Sequence, residues 1–353
     1  MKVLHLPSSV GGNSINLSQA EKKIGINSQV LYKSSNWLNY DSDINLNLQN
    51  ENKLYKAYKL ISTFLDVRNE YDIFHFNFGS SLIDTKSKHF NLIDLPFYGG
   101  KKFMTFNGCD ARQKYPTMER VKQAACHQSN CYNGMCNSGL MDKIRRKRIT
   151  KSSKHVDHIF ALNPDLLHFL PIEKSSFLPY TIDTNNLIKP IKHNTNPKKI
   201  KIIHAPTNRE AKGSYFILKA LEKLKTRYNN IEIQIIENIP NQKAIELYEK
   251  ADIVIDQVLI GWYGGFGVEV MKMGKPLGVF IREEDLKFIP NQMAKDLKES
   301  IININPRNIE EKLSELIENP KLLKHISNSG IQYVKKWHNP TYIANQVKSY
   351  YEN

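Results

Sequence analysis

The stretch KIIHAPTNREAKGS, residues 201–214, places an apolar strand directly before a polar turn. Residues 214–228 follow with the apolar spacing of a helix, so the local pattern is strand, turn and helix. The start of such a helix offers free N–H groups and a dipole that favours phosphate, and Arg209 and Lys212 add positive charge there. The stretch predicts an α/β domain with an anion site. The alternative is a solvated surface turn.

The same alternation continues on both sides of this stretch. Strands are predicted at 2–6, 28–32, 73–78, 102–106, 158–162, 201–204, 232–236, 252–255 and 277–281, and helices at 15–24, 54–67, 214–228, 242–250 and 341–351. Strands separated by helices imply parallel pairing with right-handed crossovers. Residues 179–199 hold prolines, asparagines and lysines with few apolar residues, which is typical of a linker.

This organisation predicts an α/β protein of two doubly wound, Rossmann-like domains that face a cleft. We expect an N-terminal domain over residues 1–185 and a C-terminal domain, which contains the predicted anion site, over residues 186–336. We expect the last segment, residues 337–353, to form a helix that packs back on the N-terminal domain.

A second turn, residues 260–269, contains four glycines in seven residues and ends in Glu269. Glycines allow the backbone to come close to a ligand. The following helix is predicted to start at Val268, which would place Glu269 in its first turn. A carboxylate there can accept hydrogen bonds from two ribose hydroxyls, and the alternative is that it only complements the helix dipole. One cationic and one acidic turn in the same domain favour the functional interpretation.

These two turns resemble glycosyltransferase family 4, whose members have the GT-B fold. Members carry an Arg and then Lys-Gly after a strand, and a Gly-rich loop that ends in Glu-Ala-Met-Ala-x-Gly-x-Pro. This chain has EVMKMGKP at residues 269–276. The resemblance implies a retaining, hexosyltransferase-like enzyme whose chemistry needs no metal or other cofactor. It implies that residues 1–185 form the acceptor side and residues 186–336 the nucleotide-sugar donor domain. It also implies that Arg209 and Lys212 hold the donor diphosphate, that Glu269 binds ribose, and that residues 237–240, including Glu237 and Ile239, line the base largely through their backbone.

The chain departs from the family at the position eight residues before Glu269. The family usually has a second Glu there, and this chain has Gly261. Contacts to the donor sugar are therefore expected from the backbone amides of Gly264, Gly265 and Phe266. The expected donor is a UDP-sugar, with a GDP-sugar as the alternative.

Two motifs in the N-terminal half also resemble the family. Gly12, in the sequence GGN at 11–13, resembles the loop that approaches the donor phosphates and the acceptor. The sequence NGCDAR at 107–112 resembles a His-Gly-Ser-Asp-x-Arg motif with Asn107 in place of the His. Asp110 and Arg112 are therefore candidates to contact the acceptor or the donor sugar. The alternative is an Asp that caps a helix with Arg as its partner. For His75, a hydrogen-bonded core position is the favoured interpretation.

Four cysteines cluster within 28 residues, at Cys109, Cys126, Cys131 and Cys136. A structural zinc ion could be held by Cys126, Cys131 and Cys136, with Cys109 or His127 as the fourth ligand. Their spacing is not one of the familiar short ones, so unpaired thiols and a disulfide stay open. Disulfides are disfavoured in a cytosolic chain.

The chain is strongly basic, with 50 Lys and Arg against 35 Asp and Glu and a net charge of +15. This balance favours polyanionic partners. The densest basic run, residues 143–154, is either a solvated helix face or a docking patch for anionic lipid head groups. Known DNA- and RNA-binding motifs are absent, so nucleic acid is not an expected partner. We expect a cytoplasmic protein with peripheral contact at the inner face of the membrane, since no apolar window is long enough to span it.

The function predicted from these residues is transfer of a sugar from a nucleotide-diphosphate sugar to a glycan or lipid-linked acceptor, in bacterial surface polysaccharide synthesis. The alternatives are a non-catalytic nucleotide-sugar-binding partner subunit and a nucleotide-sugar epimerase. A dehydrogenase is disfavoured because no Gly-x-Gly-x-x-Gly opens either half.

Overall fold

The structure is a computed structural model that describes residues 1–8, 10–34, 41–85, 90–191, 199–237, 239 and 241–353, apart from the side chains of residues 241 and 242. These residues form two compact units. Unit 1 contains Met1–Gln113, Ser138–Asn185 and Asn339–Asn353, and unit 2 contains Lys114–Asn137 and Asn186–His338. Among the helices described, none is both long and apolar enough to cross a bilayer.

The described residues contain twelve strands and twelve α-helices. The strands are β1 Lys2–Leu6, β2 Asn27–Tyr32, β3 Ile44–Asn45, β4 Ile73–Asn77, β5 Lys101–Phe106, β6 His158–Ala161, β7 Ser175–Phe177, β8 Ile200–His204, β9 Ile231–Ile235, β10 Ile253–Ile255, β11 Leu277–Val279 and β12 Ile302–Asn303. The helices are α1 Asn13–Lys23, α2 Lys53–Val67, α3 Lys114–Arg120, α4 Leu140–His155, α5 Arg209–Lys212, α6 Ser214–Arg227, α7 Asn241–Tyr248, α8 Gly265–Lys272, α9 Asn291–Ser300, α10 Ile309–Glu318, α11 Pro320–Trp337 and α12 Pro340–Glu352.

Unit 1 is built on a parallel sheet of seven strands in the order β3-β2-β1-β4-β5-β6-β7. Alternate side chains of β4 point to opposite faces of this sheet. Phe74 and Phe76 pack against Tyr98, which also contacts Phe64 of α2. His75 points the other way, toward Tyr351 of α12. Helix α2 therefore covers one face, and α12, which packs on α1, covers the other.

Unit 2 is built on a second parallel sheet, of five strands in the order β12-β11-β10-β8-β9. Its strands are short and apolar, and Ile202, Ile253 and Ile255 are fully buried. Helices α6 and α10 share their core with these strands. Strands buried on both faces are typical of doubly wound folds. The structure therefore confirms the predicted α/β class with two Rossmann-like parts.

Residues 114–137 differ from the sequence-based division. They lie inside the predicted N-terminal domain, yet they belong to unit 2. The backbone N–H of Ala125 donates to the carbonyl of Leu259 at 3.2 Å, and Gln123 Nε2 donates to the carbonyl of Val258 at 2.9 Å. These bonds attach the segment to the loop after β10. The predicted linker, residues 179–199, includes the boundary between units 1 and 2 after Asn185, and its residues 192–198 lie outside the described residues.

Candidate functional site

Three polar segments leave the carboxyl ends of neighbouring strands in unit 2. Arg209 and Lys212 follow β8, Glu237 follows β9, and Asp256 follows β10 directly. Because β8 pairs in parallel with both β9 and β10, these segments meet at one edge of the sheet. Open α/β sheets bind ligands at this edge, which is here called the ligand edge of unit 2.

The turn that carries Arg209 and Lys212 is fixed by its own backbone. Asn208 caps α5, since its Oδ1 accepts from the backbone N–H of Ala211 at 2.8 Å. Gly213 then joins α5 to α6 with a φ of +72°. A Cβ at Gly213 would lie 2.6 Å from Cγ2 of Val258, so only glycine permits this close junction.

Arg209 forms a two-pronged ion pair with Glu237. Its Nε donates to Oε1 at 2.8 Å and its Nη2 donates to Oε2 at 2.5 Å. These hydrogen bonds lower the pKa of the Glu237 carboxyl, against the opposing effect of burial. The Arg209 side chain is 55% exposed, so solvent screens the pair and its guanidinium is accessible. Glu237 was predicted to line a nucleotide base, and in this structure its side chain holds Arg209.

Lys212 forms an ion pair with Asp256. The Asp256 side chain is fully buried and that of Lys212 is 14% exposed. Lys212 Nζ also lies 5.8 Å from the ring centroid of Phe266, which places it beside the start of α8. Asp256 was not among the residues predicted from sequence. Its position directly after the apolar strand β10 was a usable signal, because that is where open α/β sheets bind ligands.

His204, the last residue of β8, holds this edge together. Nδ1 bonds to the carbonyl of Ile255 at 2.9 Å and Nε2 to the hydroxyl of Ser214 at 2.8 Å. The carbonyl can only accept, so Nδ1 carries the proton and Nε2 accepts from the hydroxyl. Burial is the main cause that lowers the pKa of His204 to about 4. The ring is therefore neutral at neutral pH and links β8 to β10 and to the start of α6.

Gln257 stabilises the start of the Gly-rich loop, residues 260–269, through its side-chain hydrogen bonds. Its Oε1 accepts from the backbone N–H groups of Leu259 at 2.8 Å and Ile260 at 2.5 Å. Helix α8 then begins at Gly265, three residues before the predicted start at Val268. Glu269 is consequently the fifth residue of α8 and not part of its first turn, which corrects the prediction. The first N–H groups of α8, including those of Gly265 and Phe266, have no partner within the helix.

Two glycines of this loop have different surroundings. Gly264 precedes α8, and a Cβ there would meet no atom within 4 Å. Gly261 has a φ of +94°, and a Cβ there would lie 2.4 Å from Nη1 of Arg282. The guanidinium of Arg282 thus fills the space beside the position where the family usually has a Glu. Gly264 leaves its backbone open, whereas Gly261 is closed by packing.

Glu269 is half-buried and lies near Tyr248 of α7. Burial first, and then the charge of Glu269, raise the pKa of Tyr248. The Tyr248 ring packs edge-on against Phe266, with centroids 5.2 Å apart. Lys212, Phe266, Tyr248 and Glu269 therefore form a connected group around the start of α8. Ile239 is half-buried, and its neighbours at 238 and 240 lie outside the described residues, so its role stays a prediction.

In unit 1, Asp110 stabilises its own turn. Its carboxylate accepts from the backbone N–H of Asn107 at 2.9 Å and of Gly108 at 2.6 Å. Burial raises the pKa of Asp110, while these bonds oppose the rise. Arg112 pairs with Asp165, at 2.6 and 2.9 Å, and the sequence argument did not identify this partner. Within the described residues, Asp110 therefore neither caps a following helix nor takes Arg112 as its hydrogen-bond partner, and its contact with the acceptor or the donor sugar stays a prediction.

The two other candidates of unit 1 differ in kind. Gly12 has a φ of +65° and directly precedes α1, so glycine suits the entry into that helix. His75 is fully buried, with Nδ1 2.6 Å from the hydroxyl of Tyr351 and Nε2 2.7 Å from that of Thr105. It is a hydrogen-bonded core histidine, as the favoured interpretation predicted.

The structure gives no support to the zinc prediction. Across the described residues, no group of three His, Cys, Asp or Glu side chains is placed to hold a metal ion. Cys109 is exposed and belongs to unit 1, whereas the half-buried Cys126, Cys131 and Cys136 lie on the segment 114–137 of unit 2.

Comparison with known proteins gives fold relatives only. No protein-family model and no curated protein sequence matches the chain. Sucrose-phosphate synthase from Thermosynechococcus elongatus is similar in structure, with a TM-score of 0.64 and 12% identity over 100% of this chain and 98% of that one. The Anabaena protein Alr3699/HepE, solved with UDP-glucose, has a TM-score of 0.61 and 12% identity over 99% and 98%.

A third similar structure is WaaG, a glycosyltransferase involved in lipopolysaccharide biosynthesis. It has a TM-score of 0.58 and 12% identity over 98% of this chain and 99% of that one. The likeness covers nearly the whole length of all three proteins. With its two Rossmann-like parts and parallel sheets, the chain has the GT-B glycosyltransferase fold.

Proposed function

We propose that the ligand edge of unit 2 binds a nucleoside-diphosphate sugar and that the protein transfers the sugar with retention of configuration. The observation that carries this proposal is the position of Lys212. It follows β8 on the same short helix as Arg209, and its ammonium lies beside Phe266 at the start of α8. Two cations and the free N–H groups of a helix start are suited to a diphosphate.

The same groups would act most strongly as the donor bond breaks. Negative charge then builds on the departing diphosphate, and fixed cations and N–H groups stabilise it. An oxygen of that diphosphate takes the proton of the attacking hydroxyl, so no protein nucleophile or metal ion is required. Arg209 is held by an exposed pair, which costs only about 0–1 kcal/mol to give up.

The remaining roles follow the geometry of α8. Glu269 projects from its second turn and would accept hydrogen bonds from the ribose hydroxyls. Gly264 leaves the backbone open, so the amides of Gly264, Gly265 and Phe266 would approach the donor sugar or phosphates. UDP is the favoured nucleotide because a fold relative was solved with UDP-glucose. For Gly12 and Ile239, contact with the donor is proposed from the sequence alone.

We propose a positioning role for Asp110. Its bonds to Asn107 and Gly108 fix the turn after β5, at the carboxyl edge of the unit 1 sheet. The acceptor would be a glycan or a lipid-linked glycan of a bacterial surface polysaccharide. The role of the fold relative WaaG in lipopolysaccharide biosynthesis supports this class of acceptor.

A second candidate function is a nucleotide-sugar-binding subunit without catalytic activity. Gly261 favours it, because Arg282 fills the space where the family usually presents an acidic side chain to the donor sugar. Such a protein would bind the nucleotide through Arg209 and Lys212 and leave the sugar intact.

Calorimetry with UDP, GDP, ADP and CMP tests the donor site. We expect UDP to bind best, and we expect Arg209→Ala, Lys212→Ala and Glu269→Gln each to weaken it about tenfold or more. Absence of binding by every nucleotide would show that the donor assignment is wrong.

The bound UDP-sugar is then followed by NMR, without acceptor and with a panel of glycan acceptors. A glycoside product or slow hydrolysis supports the transferase. An unchanged donor supports the binding subunit, and a free isomer supports an epimerase.

A further inference from the structure

Helix α2 of unit 1 has two apolar faces. Its inner face carries Phe64 and Val67, which are buried. Its outer face carries four large apolar residues at spacings of four, three and four, namely Leu54, Tyr58, Ile61 and Leu65, which are 84, 66, 50 and 55% exposed. This spacing aligns them in one stripe along the helix. A contiguous exposed apolar stripe on a folded protein marks an interaction surface.

Helix α4 of the same unit carries an exposed basic stripe. Its members share one side of the helix and are Lys143, Arg146, Lys147 and Lys154. The acid within α4, Asp142, is buried on another side. Four positive charges therefore face solvent with no negative charge from this helix among them.

The other cations of α4 are turned inward. Arg145 is buried with its Nη1 3.5 Å from Asp142, Arg148 pairs with Asp84, and Lys151 donates to the carbonyl of Asn91 at 2.9 Å. The dense basic run of the sequence thus divides into residues that hold α4 in place and residues that form the stripe. This division excludes Arg145 from any docking patch.

Both helices cover the same face of the seven-stranded sheet. Phe64 of α2 packs on Tyr98, which packs on Phe74 and Phe76 of β4. Ser152 of α4 donates to the sulfur of Met104, which pairs in register with Phe76 and so points to the same face. Since α2 and α4 lie in one layer, their outer sides face the same direction.

The segment that connects β4 to β5 lies next to both helices. Residues 95–97 contact α4, and Gly99 donates its backbone N–H to the carbonyl of Arg68, directly after α2. Phe97 in this connection is 60% exposed and Ile93 is 38% exposed. The apolar stripe of α2 and the basic stripe of α4 therefore lie on the outer side of one layer, with these two exposed side chains in the segment between the helices, and this side is here called the α2/α4 face.

We propose that the α2/α4 face docks on the surface of a bilayer that contains anionic lipids. The apolar stripe would enter the boundary between head groups and acyl chains, as an interfacial amphipathic helix does. The basic stripe would lie against the lipid phosphates. A second copy of the chain fits less well, because its own α2/α4 face carries the same basic stripe and would offer no matching anionic stripe. This inference does not depend on the donor site of unit 2.

Vesicle flotation tests the proposal, with phosphatidylcholine vesicles that contain or lack phosphatidylglycerol. The basic-stripe variant combines Lys143→Gln, Arg146→Gln, Lys147→Gln and Lys154→Gln. The apolar-stripe variant combines Leu54→Ser, Tyr58→Ser, Ile61→Ser and Leu65→Ser. The matched control removes four exposed cations from unit 2, with Lys219→Gln, Lys225→Gln, Lys321→Gln and Lys324→Gln. Circular dichroism and thermal unfolding check that each variant is folded.

We expect the wild-type protein to float only with the anionic vesicles. Each stripe variant should bind them about tenfold more weakly or worse, and the control should bind within about twofold of wild type. High salt should weaken the wild type and the apolar-stripe variant, and it should change the basic-stripe variant little. No binding to anionic vesicles, or an equal loss in the unit 2 control, overturns the proposal. A concentration-dependent dimer that only the apolar-stripe variant abolishes, without vesicle binding, would assign the face to a second copy instead.

Discussion

Lys212 and Asp256 form an ion pair in which the Asp256 side chain is wholly buried and the Lys212 side chain is only 14% exposed. Removal of one partner from such a pair leaves an uncompensated charge in a poorly solvated site. We therefore expect Lys212→Met to lower the free energy of unfolding by about 3 kcal/mol. Arg209→Ala, at a side chain that is 55% exposed, should change it by no more than about 0.5 kcal/mol.

Urea denaturation at neutral pH measures both effects. Equal losses for the two variants would contradict the energetic difference that burial implies. The result also affects how binding data are interpreted, because a weaker nucleotide complex of Lys212→Ala reflects ligand contacts only at temperatures where the variant is folded.

In the proposed complex, Glu237 would compete with the donor diphosphate for Arg209. The amide of Glu237→Gln can still accept a hydrogen bond from Arg209, but it no longer places a negative charge beside the proposed diphosphate site. We expect this variant to bind UDP about two- to fivefold more tightly than wild type, which matches the low cost of an exposed ion pair. Calorimetry measures the change.

Glu232→Gln is the matched control, because Glu232 lies near the opposite end of β9, where it pairs with Lys201. Its affinity for UDP should equal that of wild type. Weaker binding by Glu237→Gln would mean that its charge orients Arg209 for the ligand, and this would refute the competition argument.

Substitutions at Gly261 and Gly264 separate two effects of an added methyl group, a clash with packed side chains and a block to ligand approach. Gly261→Ala would place a methyl group 2.4 Å from Arg282 Nη1 at a φ of +94°, so we expect a loss of about 2–3 kcal/mol in stability. Gly264→Ala has open space around its Cβ, and its stability should fall by about 1 kcal/mol or less.

Affinity for UDP-sugar should show the reverse order. The methyl group of Gly264→Ala would stand where the backbone approaches the donor, and affinity should fall about tenfold. Thermal unfolding and calorimetry on the same samples separate the two effects. If Gly264→Ala binds UDP-sugar as tightly as wild type, the donor does not approach this backbone.

The main strands and the two ligand turns could be predicted from sequence because their information is local. Apolar runs such as those of β1 and β8 alternate with segments whose apolar residues have the spacing of a helix. The position of Arg209 and Lys212 after a strand follows from that alternation. The start of α8 could not be predicted in this way, because glycine is a poor helix former. Gly267 lies inside α8, where a Cβ would come 2.8 Å from Cβ of Tyr263, so tertiary packing selects glycine there.

Other features depend on contacts between distant residues. The bond between Ala125 and Leu259, which attaches the segment 114–137 to unit 2, has no local signature. The partner of Lys212 is 44 residues away along the chain, and only the folded sheet brings Asp256 to it. The sequence could indicate which charged residues lie at the ligand edge, but not which of them form ion pairs with each other.

His204 should make the stability of the protein fall in mild acid. Burial lowers its pKa from 6.5 to about 4, so the unfolded chain binds a proton in this interval and the folded chain does not. The contribution is therefore fully present above pH 6.5 and is lost as the pH falls toward 4. From about pH 7 to about pH 5 this one residue should account for a loss of about 2 kcal/mol.

Other buried histidines change stability in the same direction, since the pKa of His158 is also lowered to about 4, mainly by burial. A comparison of variants isolates His204. In His204→Asn the amide can still donate to the carbonyl of Ile255 but cannot titrate, so the variant should lose about 2 kcal/mol less than wild type over the same interval. His325→Asn, at an exposed position, is the control and should follow wild type. Urea titrations of the three proteins at the two pH values give three differences in the free energy of unfolding. Parallel losses in wild type and His204→Asn would show that His204 is not a buried neutral link between β8, β10 and α6.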